Sequence, residues 1–272
     1  MSEKKEHLEL KKKIYKILKY SELKKTAMEV LFEIPKIGNL SADVVAIEDN
    51  TMFIIQCKAR KNLSAPEKEF GSLSGRMDAI LEKKYTKITS ETEPIVPADL
   101  KKIKRIKACY AFTNELENYN LENILKKFGF EFWDDKAVRY YEKTSKALGK
   151  YTKYQILKEF GIPFESPIGT WEEPAVEIFQ EGNPAMYMMG VHPSILLEIC
   201  YVYRRGSGKS EAYQRILNKD RLKQISSFLQ KPNTLLSNPV IIVFDSDTKI
   251  QKKIGYRDDD HILEFPRTYC CA

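Results

Sequence analysis

An acid, an amide and an amine flank a single predicted turn. Asp43 begins an apolar stretch, Asp49-Asn50 form the turn, and a second apolar stretch ends in Gln56 and Lys58. Because strand side chains alternate, Gln56 and Lys58 are expected on one face, at the hairpin end that also holds Asp43. Such a set can hold Mg²⁺ and activate a water molecule against a phosphodiester.

Each residue type suits a role in metal-dependent hydrolysis. Asp43 is a hard oxygen ligand, Gln56 can add a neutral carbonyl oxygen, and the main-chain carbonyl of Cys57 lies next to it. Partial burial beside a metal would lower the pKa of Lys58, so that it orients or deprotonates water. An acid on a preceding helix would complete the set. Glu9 and Glu6 are candidates for this acid.

The elements that must position these residues follow from hydrophobic periodicity. The nearly continuous apolar runs around the turn indicate two strands in the centre of a sheet that is covered on both faces. The predicted order is a mixed α/β sandwich of the α/β (α+β) class, with a mixed sheet flanked by helices. Helices are predicted at 4–19, 66–85, 99–107 (a basic helix) and 119–128, and strands at 28–34, 42–48, 51–58, 108–113 and 130–133.

A boundary is predicted in the middle of the chain. Residues 137–160 look largely helical, and the glycine and proline residues at 161–169 then interrupt the pattern. We divide the chain into a first domain at 1–150, a helical linker at 151–164 and a smaller α+β domain at 165–272. In this last part, strands are predicted at 195–203 and 239–245, and a helix at 211–230.

The first part resembles the PD-(D/E)XK nuclease superfamily, and most closely its Mrr-like restriction endonuclease branch. The resemblance covers roughly residues 4–135: a helix, a strand, a strand beginning Ala-Asp-Val-Val-Ala and a strand ending Ile-Ile-Gln-Cys-Lys-Ala-Arg. It implies a restriction-endonuclease-like fold that cleaves DNA with Mg²⁺ or Mn²⁺. The family roles carry over to Asp43 as metal ligand, Gln56 as the assisting group and Lys58 as the residue that positions the nucleophile. For the family's helix acid, the resemblance leads us to choose Glu9, with Glu6 as the alternative.

Residues 191–245 resemble the N-terminal half of the DGQHR domain. The similarity rests on a helix with Tyr213-Gln214-Arg215 and on a strand reading Asn-Pro-Val-Ile-Ile-Val. That domain is similar to the ParB/sulfiredoxin superfamily and occurs in DNA-sulfur-modification and phage-defence proteins. Its naming motif, Asp-Gly-Gln-His-Arg, is absent here and would follow a segment like 262–266, so a truncated domain is expected.

Two further sets of polar residues are candidates for phosphate contacts. Arg60 and Lys61 directly follow the candidate site and could contact backbone phosphates, or else form a solvated turn. Gln214, Arg215 and Arg221 share a predicted helix and could hold a phosphate. Surface pairing with neighbouring acids is the alternative for this second set.

The positive charge of the chain is concentrated in its first part. The net charge is +7, and residues 1–150 carry 30 Lys and Arg against 23 Asp and Glu, whereas residues 151–272 carry 15 of each kind. This distribution is expected if the first part meets a polyanion, although a lysine-rich solvated surface would give the same count.

Composition excludes several other classes of protein. The first residues lack the apolar core of a signal peptide, no apolar run is long enough to span a bilayer, and the 5 cysteines follow no metal-ligand or disulfide spacing. A cytoplasmic protein without a membrane partner is therefore expected. The stretch 206–210 reads Gly-Ser-Gly-Lys-Ser, like the end of a P-loop. A P-loop would need a glycine at position 203, where this chain has Tyr203, so a flexible loop before a helix is the better interpretation. The acidic run before His261 is interpreted as a polar loop rather than a metal site.

These observations lead to one expected function and two alternatives. The expected function is that of a metal-dependent DNA endonuclease in a prokaryotic DNA-modification or phage-defence system, with a homodimer or other defence proteins as further partners. The first alternative is a nucleic-acid-binding or regulatory protein that keeps the fold without hydrolysis. The second is a nucleotide-binding sensor that acts through the DGQHR-like part.

Overall fold

The chain divides into two compact units in a computed structural model. The first unit spans Met1–Lys153, and the second begins at Tyr154. The structure describes residues 3–59, 65–114, 119–162, 170–178, 186–192, 195–197, 200–201, 219–231, 243–244, 251–254, 260–266 and 270–271.

A six-stranded mixed sheet with helices on both faces forms the first unit, as the sequence predicts. The strand order is β4-β1-β2-β3-β5-β6, with β1, β2 and β3 antiparallel in turn and β5 and β6 parallel to β3. The strands are β1 (Lys25–Glu33), β2 (Leu40–Glu48), β3 (Thr51–Lys58), β4 (Lys87–Thr89), β5 (Arg105–Phe112) and β6 (Glu131–Trp133). The helices are α1 (Glu3–Tyr20), α2 (Pro66–Leu81), α3 (Pro97–Leu100), α4 (Tyr119–Lys127) and α5 (Asp135–Leu148), with a 3₁₀ turn at Gly149–Tyr151. Helix α6 (Thr152–Glu159) follows this turn, and the second unit begins within it.

The core between the sheet and helices α2 and α4 is largely aromatic. Phe70 of α2 is fully buried, and its ring lies 4.7 Å from that of Tyr110 and 5.8 Å from that of Phe130, centroid to centroid. On the opposite face, α1 packs against the sheet and α5 through buried residues that include Ile14 and Ile17. The central strands β2 and β3 are therefore buried on both faces, which accounts for their nearly continuous apolar sequence.

Two local predictions in the first unit are corrected by the structure. The basic helix at 99–107 is wrong, because only Pro97–Leu100 is helical and strand β5 already begins at Arg105. Pro97 at the start of this short helix favours the first turn, but Ile106 then joins the buried ladder beside Met52 of β3. The short edge strand β4 was not predicted, since its alternating polar pattern is indistinguishable from that of a loop.

The second unit contains two smaller sheets. Strands β7 (Thr170–Ile178), β8 (Met186–Met189), β11 (Gln251–Ile254) and β12 (Asp260–Pro266) form an antiparallel sheet in the order β11-β12-β7-β8. Strands β9 (Cys200–Tyr201), β10 (Val243–Phe244) and β13 (Cys270–Cys271) form the other in the order β10-β13-β9, and α7 spans Lys219–Leu229. Within the predicted strand at 195–203, residues 195–197 are helical, which corrects the prediction there, whereas β9 lies at Cys200–Tyr201.

Within the described ranges, no helix combines the length and the apolar character that a bilayer crossing requires.

Truncating the central ring of the aromatic core should strongly destabilise the first unit. We expect Phe70→Ala to lower the free energy of unfolding by about 3–5 kcal/mol, because it leaves a cavity among three packed rings. Urea titration followed by the fluorescence of buried Trp133, in a Trp171→Phe background, would report on this unit alone. Ile37→Ala, at a side chain 45% exposed, should change the value by less than about 0.5 kcal/mol. Equal effects of the two substitutions would contradict the described core.

Candidate functional site

The ladder between β1 and β2 is interrupted where Glu29 lies opposite Asp43. The pairs on either side of this position keep the same register, but Glu29 has a left-handed φ of 49°. In a regular strand, side chains on the same face are an even number of residues apart. Ala27 and Val30 are three residues apart and still lie in the same core, so the alternation of inward and outward side chains in β1 shifts by one residue at this point. A non-glycine residue in this conformation costs of order 1–3 kcal/mol, and such strain is concentrated at functional sites.

Lys11 of α1 bridges the two carboxylates that meet at this interruption. Its Nζ lies 2.5 Å from Glu29 Oε1 and 2.6 Å from Asp43 Oδ1, and its side chain is only 11% exposed. Burial by itself would lower the pKa of the Lys11 ammonium, but the hydrogen bonds to Asp43 and Glu29 outweigh it and raise that pKa. The ammonium therefore stays charged and balances a carboxylate in the middle of the sheet.

The second oxygen of Asp43 is held by the backbone of β3. The Cys57 N–H donates to Asp43 Oδ2 at 2.6 Å, and His7 Nε2 lies 3.6 Å from the same oxygen. Nε2 of His7 is itself buried and has no hydrogen-bond partner in the described part of the chain. Residues 7 and 11 are four apart on α1, so both project from the helix face that covers the sheet.

Lys58 belongs to a second cluster, on the sheet face covered by α2. Its Nζ lies 2.6 Å from Glu69 Oε1 in the first turn of α2 and 5.7 Å from the centroid of the Tyr110 ring. Burial raises the pKa of the Tyr110 hydroxyl well above its ordinary value, and the charge of Glu69 together with a hydrogen bond to it raises that pKa further. The Lys58 ammonium is thereby fixed between a carboxylate and an aromatic face.

The two clusters meet around the end of β3. The charges of Glu69 and of Asp43 both act on the Tyr110 hydroxyl and raise its pKa. Burial raises the pKa of the Cys57 thiol well above its ordinary value, and the charge of Asp43 adds to this effect while those of Lys11 and Lys58 oppose it. The residues that carry charge on the two faces are therefore close enough to influence the same two buried groups.

Gln56 lies at the open end of the hairpin. Its Nε2 donates to the main-chain oxygen of Ser41 at 2.7 Å, which orients the amide and leaves its side-chain oxygen free to accept another group. Alternation along β3 places Gln56 and Lys58 on the same face as Ile54, whose side chain lies in the core under α2. The expected shared face of Gln56 and Lys58 is thus observed, whereas Asp43 reaches its partners on α1.

The helix acid chosen from the sequence lies elsewhere. Glu9 is exposed and lines a groove between α1 and α5, about 200° around α1 from the positions that face Asp43. The residues of α1 that do reach the Asp43 carboxylate are His7 and Lys11, neither of which is an acid. Glu6, the alternative, is partly buried.

Four of the predicted phosphate-contacting residues lie outside the described residues: Arg60, Lys61, Gln214 and Arg215. Arg221 lies on α7, and nothing is described of its side chain.

Three charged residues of the site were missed by sequence reasoning. Glu29 is flanked by apolar strand residues, and Lys11 is one of several lysines on an amphipathic helix, so each has a recognisable but weak signal. Glu69 follows Lys58 by eleven positions and begins a helix that was itself predicted. The signal that could have identified Glu69 is its place in the first turn of α2. Strand β3 runs parallel to β5, and the first turn of α2 lies beside the carboxyl end of β3, where Lys58 is.

No family model and no curated protein matches the chain. Among solved structures, the chain is similar to that of protein VC1899 from Vibrio cholerae, with 12% sequence identity and a TM-score of 0.35. The match covers 50% of this chain and 32% of that one. At this TM-score the similarity carries no argument about fold or function.

Removing the bridging ammonium should destabilise the first unit more than removing an exposed one. We expect Lys11→Met to lower the free energy of unfolding by about 3–5 kcal/mol, because two neighbouring carboxylates lose their buried partner. Since the pKa of Lys11 is raised in the fold, its contribution is fully present below its ordinary value of 10.5 and is lost only as the pH rises through the raised value. The deficit of the variant, measured by urea unfolding, should therefore be constant between about pH 7 and 9.

The matched control for this substitution is Lys24→Met. Lys24 pairs with Asp49, but both side chains are more than half exposed, so the loss should stay within about 1 kcal/mol. If the two variants were equally stable, the bridge between Glu29 and Asp43 would not contribute as the geometry requires.

Proposed function

We propose that the first unit is a metal-dependent DNA endonuclease that hydrolyses phosphodiester bonds. The observation that carries this proposal is the arrangement at the end of β3. There Lys58 is held by Glu69, while the N–H of the preceding residue, Cys57, donates a hydrogen bond to the Asp43 carboxylate. An ammonium group and two carboxylates around one strand end are the groups that metal-assisted hydrolysis of a phosphate ester uses.

The donor groups fit a magnesium ion shared with substrate. In the described parts of the chain, no three His, Cys, Asp or Glu side chains converge to form a complete metal cage. Mg²⁺ usually keeps several waters and is held through one or two carboxylates together with substrate phosphates, so a full cage is not required. Asp43 would be its direct ligand, next to the main-chain oxygen of Cys57, whereas Gln56 and Glu69 face α2 and would act on it through its bound waters. Bound there, Mg²⁺ or Mn²⁺ would polarise the phosphate and lower the pKa of a bound water.

The remaining residues would position the substrate and the water. The Lys58 ammonium can donate to a phosphate oxygen or to the attacking water, and Glu69 and the Tyr110 ring restrict where it points. Gln56, whose amide is oriented by Ser41, presents its oxygen beside them. A cation fixed before substrate arrives stabilises the charge that develops on the phosphate without reorganising.

The charge of the first unit supports a polyanionic substrate. The whole net charge of +7 lies within residues 1–150, and this field favours association with DNA at low salt. The DGQHR-like sequence suggests that the substrate is encountered in a prokaryotic DNA-modification or phage-defence system.

One observation favours a second candidate function, nucleic-acid binding without hydrolysis. The Lys11 ammonium already satisfies Asp43 Oδ1 at 2.6 Å and Glu29 Oε1 at 2.5 Å, so a metal ion at Asp43 must compete with a buried cation. Gln56 also supplies no negative charge to the site. A chain in which Lys11 permanently replaces the metal would keep the fold and bind DNA but would not cleave it.

Plasmid nicking in the presence of Mg²⁺ or Mn²⁺ tests the first candidate. We expect Asp43→Asn, Lys58→Met and Glu69→Gln each to reduce the nicking rate by at least about 100-fold, because each removes a charged group from the reacting phosphate or from its supporting cation. The wild-type rate should fall to background in EDTA. Nicking that persists in both the Asp43 and the Lys58 variants would place the activity at another site or in a contaminant.

Lys25→Met is the matched control for Lys58→Met. Lys25 forms a similarly half-buried pair with Asp99, at 2.7 Å, in the same unit. We expect it to nick at about the wild-type rate, which would separate a specific loss from the general loss of one positive charge. Wild-type protein that binds the plasmid with either metal and leaves it intact would instead support the second candidate.

A further inference from the structure

A concave surface between α1 and α5 lies apart from the Asp43 and Lys58 clusters. This α1–α5 groove has a volume of about 520 Å³, within the usual range for ligand pockets. Its lining on α1 faces away from the position of Lys11, because residues 12, 13 and 16 lie on other faces of the helix. Four lysines, two acids and one aromatic residue line it: Lys12, Lys13, Lys16, Lys146, Glu9, Glu142 and Tyr20.

The lysines of the groove are only partly balanced. Lys146 pairs with Glu142 at 2.6 Å, one turn apart on α5. In the described structure, Lys12, Lys13 and Lys16 form no ion pair, and all three are exposed. A hydrogen bond from Lys146 lowers the pKa of Glu142, and the charges of Lys146, Lys13 and Lys16 lower it further, so the single acid of α5 in the groove is surrounded by positive charge.

The spacing of the free lysines matches a chain of phosphates. Lys12 and Lys16 are separated by about 6 Å along the helix axis, and Lys13 lies between them. Every nucleotide of a strand carries a phosphate, so three ammonium groups spread over this distance can contact more than one phosphate of the same strand. A single small anion would need only one or two of them.

A base could be held at one end of the same surface. Tyr20 ends α1, lines the groove and is 51% exposed, so one side of its ring is available. Aromatic rings beside a basic groove are the usual platform on which bases of a single strand stack. The floor below is formed by Ile17, which is buried and apolar.

We propose that the α1–α5 groove binds a nucleic-acid strand, with its backbone phosphates on Lys12, Lys13 and Lys16 and a base against Tyr20. The proposal rests on the proposed function only in taking nucleic acid as the ligand, and it requires no hydrolysis. The groove would hold the strand outside the reacting centre, so that its substitution changes the affinity for DNA and leaves the groups around Asp43 and Lys58 intact.

Fluorescence anisotropy with a labelled 20-nucleotide single strand, in EDTA, measures this binding without cleavage. We expect the triple substitution Lys12→Gln, Lys13→Gln and Lys16→Gln to weaken binding at least tenfold at 100 mM salt. The slope of log K against log salt should become shallower by about 2, since each lost phosphate contact on a single strand contributes about 0.7. Tyr20→Leu should weaken binding roughly tenfold, and Tyr20→Phe, which keeps the ring, should bind like the wild type.

The charge-matched control is Lys101→Gln, Lys102→Gln and Lys104→Gln. These lysines are also exposed, follow α3 and do not line the groove, and their removal lowers the net charge by the same amount. The proposal is supported if this triple variant loses less than threefold in affinity. It is overturned if both triple variants lose affinity equally or if the groove variant binds like the wild type.

Two further outcomes identify the ligand and separate this proposal from the proposed function. Inorganic phosphate or a mononucleotide that competes with the 20-mer at equal concentration would overturn strand binding and leave only an anion pocket. Asp43→Asn should retain groove binding while losing nicking, and the groove triple variant should retain nicking at saturating DNA. A variant that loses nicking but still binds DNA therefore reports on the groups around Asp43. A variant that loses binding but still nicks at saturating DNA reports on the groove.

Discussion

The first unit depends on neutralising a carboxylate that lies in the middle of its sheet. Asp43 is 8% exposed, and an isolated ionised carboxylate at such a position would cost several kcal/mol. Lys11 supplies the opposite charge, and the Cys57 N–H supplies a charge-assisted hydrogen bond. These two contacts tie α1 and β3 to the same side chain of β2. The orientation of the first helix on the sheet is thus coupled to the geometry of the hairpin end.

The interruption between β1 and β2 gives this carboxylate its second acidic neighbour. Glu29 reaches Lys11 because its left-handed backbone turns its side chain toward α1, where regular alternation would not place it beside Asp43. On the other face, regular alternation along β3 brings Lys58 to Glu69 on α2. One strand end therefore separates two clusters that face different helices, and the buried groups of Cys57 and Tyr110 respond to both.

The hairpin and its sheet could be predicted from sequence because their signals are local. The apolar runs on either side of Asp49-Asn50 determine both strands and place Gln56 and Lys58 on one face. The partner of each charged residue could not be predicted in the same way. The partner of Asp43 depends on the rotation of α1 about its axis, which directs Lys11 rather than Glu9 toward the sheet. The partner of Lys58 depends on where α2 begins after residues 60–64, which brings Glu69 beside it. The basic segment after Pro97 was misassigned because its lysines have high helix propensity, while burial of Ile106 beside Met52 favours the strand.

Charge balance at Asp43 links the fold to the proposed chemistry. Lys11 contributes one positive charge between two carboxylates, which is enough to fold the unit but leaves the Glu29 and Asp43 cluster with a net negative charge. A divalent cation shared with a phosphate would bring additional positive charge to the same place, and the phosphate would bring negative charge with it. The summed charge of Lys11, Glu29, Asp43, the cation and the phosphate is close to zero only when the metal and the substrate are both bound. On the proposed function, Lys11 therefore disfavours metal binding in the absence of DNA, and the same ammonium that stabilises the fold makes the reacting centre depend on its substrate.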